Sequence, residues 1–347
     1  MQIENNDDNC VDNEWKLFME GGWEQKEDKD ISLLKEVPKC GDIYISTKTK
    51  IVYLDSKINL VEAFWSLDIM PYDEHNTGII KKQMKFNSLN KEDVKNIEEK
   101  LTNYETSHSL IIQSIDNPTG RIKFKDIRKV TVGLCKKDLI NCRTKERGAF
   151  YNCFVVILRI NMETKFNEYH VKVFNTGKLE IPGIKNDKEL NLILKYLLCI
   201  LKTKLNMEIN ILEEKMETVL INSNFDCGYY LNRDVLFNIL KTKYSIQSVF
   251  DPCSYPGIQS RIFYDINNCL CNNINNNIGV GRVSFMIFRT GSVLIVGKCE
   301  EDVLIKIYEF IKDILYDEFK SIYEMDKPKV EKIIGKKKIK RNIMINK

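Results

Sequence analysis

Histidine is almost absent from this 347-residue chain. The three present, His75, His108 and His170, lie far apart, and none falls in a metal-ligand or triad spacing. No Walker-type glycine loop occurs, and Gly279-Val280-Gly281 lacks the rest of a dinucleotide fingerprint. Acidic pairs such as Glu300-Glu301 belong to a helix start. The expectation is a protein that binds without catalysing and without a cofactor. No apolar run approaches the roughly 20 residues of a membrane span, so no membrane partner is expected. The acidic N-terminus lacks the basic and apolar regions of a secretory signal. Cys269-x-Cys271 is the one close cysteine pair, and without a second Cys or His pair nearby it makes no zinc site.

What is there reads as a globular protein, 43% hydrophobic and 29% charged. The eleven cysteines are odd in number and scattered, several of them (Cys153, Cys199, Cys299) within apolar stretches. Reduced core thiols in a reducing intracellular compartment are the expectation. The net charge of +4 is uneven: the first 35 residues are acid-rich, and the chain from Lys327 onward is basic. Lys336-Lys337-Lys338-Ile339-Lys340-Arg341 has little to bury, so disorder and non-specific phosphate contact are expected there. A solubilising tail or nuclear-import signal is the other reading of that run.

Two stretches repeat. Val171–Gly183 aligns with Phe285–Gly297, with Phe174, Gly177 and Gly183 each 114 positions before Phe288, Gly291 and Gly297. Each copy reads as strand, tight turn, strand and amphipathic helix. In the helices, Leu190, Ile193, Leu194, Leu197 and Leu201 match Leu304, Ile307, Ile311 and Ile314 as core stripes. A second likeness, Tyr72–Ile80 with Phe250–Ile258, has an offset of 178, which implies about 64 extra residues in copy one. That insertion is expected to hold a helix (91–104) and strands near 108–115, 121–134 and 151–160. A strand over 42–54 and a helix over 57–68 precede it, and Asn267–Asn277 reads as a loop. The fold class is α+β: two pseudo-symmetric units forming a curved antiparallel sheet backed by helices. The expected organisation is an acidic extension (1–41), a first repeat (42–205, insertion about 87–150), a second repeat (206–322) and a basic tail (323–347). Trp15, Phe18 and Trp23 in the extension suit a docked helix or a linear motif.

The residues that carry most meaning are Tyr255-Pro256-Gly257, Arg261, Phe288-x-Thr290-Gly291 and Leu294-x-Val296-Gly297, with Thr218-Val219-Leu220 upstream. In copy one they are Phe174-x-Thr176-Gly177-Lys178 through Gly183, with Gly78–Phe86 and Phe150–Phe154. In order, duplication and spacing these resemble the TATA-box-binding protein family, in the divergent version of large nucleocytoplasmic DNA viruses. The resemblance covers about 42–86 and 165–318. It implies a saddle whose concave sheet binds double-stranded DNA in the minor groove, with aromatic wedges that unstack base steps and a preference for AT-rich sites. On it, Phe288, Tyr255 and Phe174 fall on wedge positions. Thr218, Leu220, Thr290, Leu294 and Val296 fall on groove-facing positions, Arg261 on a phosphate-contacting one, and Thr176 and Lys178 beside the first wedge.

The resemblance also implies a role in transcription initiation, with a TFIIB-like factor and an RNA polymerase as partners, in a nucleus, a cytoplasmic viral factory or a virion. Four positions depart from the family pattern. Thr77 stands at a wedge position, Glu180 at an apolar groove position, Pro182 in place of Thr, and Thr218 in place of a central Asn. A carboxylate against DNA is unfavourable, so a protein-interaction scaffold of the same fold is the rival reading. An accessory domain of a nucleic-acid enzyme is a third.

Overall fold

The computed structural model describes residues 36–140, 150–162, 165–265, 267, 269–271 and 281–325. Residues 1–39 and 40–347 form two units. Of the first, only 36–39 are described, without helix or strand, so the aromatic motif of the extension lies outside the described residues. The basic run at 336–341 lies outside them too.

The second unit begins with β1 (Tyr44–Tyr53), α1 (Leu60–Ser66), β2 (Gly78–Ser88), α2 (Lys91–Leu101), β3 (Ser107–Asp116), β4 (Phe124–Gly133), α3 (Lys136–Ile140), β5 (Cys153–Met162), β6 (Lys165–Phe174), β7 (Lys178–Ile184) and α4 (Asp187–Leu205). It continues with β8 (Glu217–Asp226), β9 (Tyr230–Leu231), α5 (Arg233–Thr242), β10 (Gln247–Val249), β11 (Gly257–Tyr264), β12 (Leu270–Cys271), β13 (Gly281–Phe288), β14 (Ser292–Gly297), α6 (Glu301–Asp317), α7 (Phe319–Ile322) and β15 (Tyr323–Glu324). Among the described residues, 13 strands make one sheet in the order β10-β11-β13-β14-β8-β1-β7-β6-β5-β2-β4-β3, with β12 beside β11. The pairings are antiparallel.

Alternation fixes which face is covered. Val171, Val173, Leu179 and Ile181 are buried with the α4 stripe Leu190, Ile193, Leu197 and Leu201. Phe285, Ile287, Val293, Ile295, Leu304, Ile307, Ile311 and Leu315 are buried at the same 114-residue offset in β13, β14 and α6. The register agrees, because Val173 faces Leu179 as Ile287 faces Val293. Both hairpins turn the same way: Gly177 N donates to Phe174 O and Gly291 N to Phe288 O, each at 3.0 Å. Their glycines sit at φ +82° and +88°, the left-handed geometry that closes such a turn without a Cβ clash. Asn186 caps α4 by accepting from Glu189 N, and the Glu189 carboxylate in turn accepts from Lys185 N, just ahead of the cap.

Four expectations need correction. The Tyr72 and Phe250 segments are not twins. The former leads into β2, which pairs with β4 and β5, whereas the latter leads into β11, which pairs with β13. The strand that answers β11 is β5, since Cys153 faces Phe174 as Gly257 faces Phe288. At that offset only Asp73 with Asp251 and Ile80 with Ile258 are identical, too little to fix a correspondence. Between β2 and β5 lie α2, β3, β4 and α3, whereas β10 and β11 are joined by a short loop. The globular part runs past 322, because Tyr323 and Glu324 pair with Leu231 and Tyr230, and Glu324 accepts from Arg289 at 2.9 Å. Part of the Asn-rich stretch is strand β12. Cys199 is exposed on α4, whereas Cys135, Cys153, Cys227 and Cys299 are buried thiols.

Candidate nucleic-acid interface

The face opposite the helices is open at its centre. On β8, Thr218, Leu220, Asn222 and Asn224 are half-buried while Ile221, Ser223 and Phe225 point into the core. Beside them, Leu294 faces Asn224 and Val296 faces Asn222. Across the middle, Thr47 and Thr49 of β1 face Asn222 and Leu220, and Asn222 Nδ2 donates to Thr47 Oγ1 at 3.0 Å. Leu220, Leu294 and Val296 therefore share one uncharged lane, whereas Thr218, beyond a break in register, faces Lys50 and not the lane. Asn222 and Thr47 belong to it and were not read from the sequence. A polar residue alternating along a strand gives no sign that it marks the centre of a sheet.

At the far end of β13, the Phe288 and Tyr255 rings lie 5.8 Å apart, both half-exposed on this face. A Cβ on Gly257 would lie 3.0 Å from the Phe288 ring and 3.2 Å from the Tyr255 ring, so any side chain there would crowd both rings. Thr290 and Thr176 are exposed in the hairpin turns, at the rim and not in the lane. Arg261 is exposed on β11 and lines a groove of about 710 Å³ with Lys241, Gln259, Ser284 and Met286.

The other half answers position by position. Phe174 takes the place of Phe288, and Lys178 Nζ sits 5.3 Å over its ring. Tyr151, two residues before Cys153, takes the place of Tyr255, two before Gly257. Its ring is exposed and carries Lys85 Nζ 3.5 Å from its centroid. A hydrogen bond from Lys85 holds the Tyr151 hydroxyl below its usual pKa. Thr77 is thus not the second aromatic position; its hydroxyl accepts from Asn161 N. Phe150 and Tyr151 could have been found from the sequence as an aromatic pair just ahead of a strand. Glu180 does not stand alone either. Its carboxylate accepts from Lys172 Nζ at 2.6 Å, and that ammonium lies 5.0 Å over the Phe150 ring. The pair occupies the cross-strand site that Met286 and Leu294 fill in the second half.

Beyond β6 the first half is covered. Ile80, Ile157 and Cys135 are buried together under Met70 and Tyr72. Asp138 accepts from Lys81 Nζ at 2.7 Å and from Cys135 N; burial pulls its carboxyl up, but these donors leave it below the usual range. Among the described residues, no group of His, Cys, Asp or Glu could hold a metal ion. No helix of the described residues is long and apolar enough to cross a membrane.

These features define a class: an antiparallel platform with its long helices on one face and, on the other, a central lane of Thr, Asn and aliphatic side chains with an aromatic pair toward each end. The chain is 27% identical over 201 residues to the TATA-box-binding protein-like protein of Acanthamoeba polyphaga mimivirus. The match covers 54% of this chain and 54% of that protein, so the chain spans about half the length of the curated relative. No family model matches. Among solved structures, Methanococcus jannaschii TBP superposes with a TM-score of 0.41 and 13% identity, over 80% of this chain and 99% of its own. The curated relative bears the name of the family that the sequence resembles.

Proposed function

We propose that this protein is a TATA-binding-protein-like transcription initiation factor. It seats AT-rich duplex on the open face of a two-repeat saddle, in the minor groove, and does no chemistry. The observation that supports this best is the matched pair of aromatic ends, Phe288 with Tyr255 and Phe174 with Tyr151, on either side of the lane Leu220, Asn222, Leu294 and Val296. Flat apolar side chains against sugar edges and aromatic wedges at base steps suit a minor groove, where the donor–acceptor pattern separates little more than A·T from G·C. Arg261 and Lys241 at the β11 end suit phosphates. The helix-covered face is left for a TFIIB-like factor and an RNA polymerase. Salt-titrated binding to AT-rich and GC-rich duplexes, with bending read by end-to-end fluorescence transfer, tests this. Tighter binding to the AT-rich duplex, with bending, is expected; equal binding without bending overturns it.

The second reading is a scaffold of the same fold without specific DNA binding. The covered face beyond β6 and the Lys172–Glu180 pair favour it.

A further inference from the structure

The covering beyond β6 is built from the chain itself, and its polar groups are spoken for. Arg159 is buried on the open side of β5, and its guanidinium donates to Tyr72 O and Glu74 O, both at 2.8 Å, with the Tyr72 ring 4.3 Å away. The Lys81 ammonium is closed off by Asp138. Lys136 N donates to both Glu168 oxygens at 3.1 and 3.0 Å, which ties the start of α3 to β6. Ile157, which faces His170 as Arg261 faces Ser284, is 2% exposed, whereas Arg261 is exposed. One end of the open face therefore offers a cation, Arg261, that has no ion pair among the described residues and lies beside Lys241. The other end offers an isoleucine under a lid of the chain's own residues.

We propose that segment 70–77 and α3 permanently occupy the open face of the first half beyond β6. A double-stranded nucleic acid then seats only from β6 to β10, with its outer phosphate contact at the Arg261 end alone. This rests on the duplex reading of the open face. It adds a fixed polarity: the two ends of the bound duplex are not equivalent. The lid resembles an intramolecular ligand more than a gate, because Arg159 and Lys81 of the sheet donate to its carbonyls and to Asp138, and its own Lys136 N donates to Glu168.

Two measurements on the full chain test this. The first is the salt dependence of duplex affinity. Arg261→Gln should lower the slope of log K against log salt by about one, the loss of one phosphate contact. Lys81→Met, at the covered end, should leave the slope unchanged. A slope lowered equally by Lys81→Met overturns the proposal. The second is alkylation of Cys135 in the native protein without duplex, read by peptide mass spectrometry against exposed Cys253. Cys135 should react at least about tenfold more slowly, as a group that opens only by local unfolding does, and Tyr72→Ala should accelerate it. Equal rates for Cys135 and Cys253 overturn the proposal. If no duplex binds, the proposed function fails, and the Cys135 rate alone decides whether the lid is closed.

Discussion

Phe288 and Tyr255 stand on an uncharged part of the open face, whereas Phe174 and Tyr151 each carry a lysine over the ring. Wedge energy should therefore concentrate in the second half. Base–aromatic contacts are worth about 1–3 kcal/mol in single-strand binders, and a loss of that order is expected for Phe288→Ala. Phe174→Ala should cost less affinity and less bending. Both are read by titration at fixed salt and by fluorescence transfer. Unchanged affinity on Phe288→Ala would remove the open face as a DNA surface. Glu180→Val should tighten binding and steepen the salt slope by about one, because it frees Lys172 as well as removing an anion. The sequence shows Glu180 as an isolated carboxylate in an apolar lane. Only the register puts Lys172 beside it, since cross-strand neighbours eight residues apart in sequence depend on where the hairpin turns.

At the scale of elements, the duplicated hairpins and their helices were legible because their apolar periods, turn glycines and caps all agree. The β2–β5 region was not. Its added elements shift the counterpart of β11 away from the position that local similarity suggests. Gly291→Ala should destabilise the protein by about 1–3 kcal/mol in urea unfolding, since a left-handed residue would then carry a Cβ 2.4 Å from Tyr229 O. Inside β2, burial holds the Lys82 ammonium down to about 8 from 10.5, where it donates to Leu67 O and Tyr104 Oη. Between those pH values the unfolded chain binds a proton that the native chain does not. Stability contributed at this site therefore rises with pH across the window and is lost as pH falls through about 8. Burial raises the thiols of Cys227 and Cys299 to about 12 and about 11, which acts with the opposite sign at high pH. The difference between wild type and Lys82→Met is thus the quantity to measure. The wild-type urea midpoint, relative to the variant, should climb from pH 8 to 10; a flat difference would mean that Lys82 is solvated.

For the whole molecule, the order of strands about β1 and β8 makes the two halves comparable, and the lid makes them unequal. Charge is unequal too, with a basic stretch following Lys327. Truncation after Met325 leaves the β15–β9 pairing intact. It is expected to flatten the salt dependence of DNA binding while leaving the AT-rich preference in place. An unchanged slope would assign the basic stretch another role.

The pair Lys172–Glu180 and its counterpart Met286–Leu294 bear on how two copies of one ancestral unit drift apart. Neither pair becomes the other by a single substitution without leaving a lone charge or a broken contact on a half-buried strand face. Of the two intermediates, the one keeping only lysine is tolerable beside a polyanion, and the one keeping only glutamate is not. If this face has always met nucleic acid, lysine was gained first and glutamate followed.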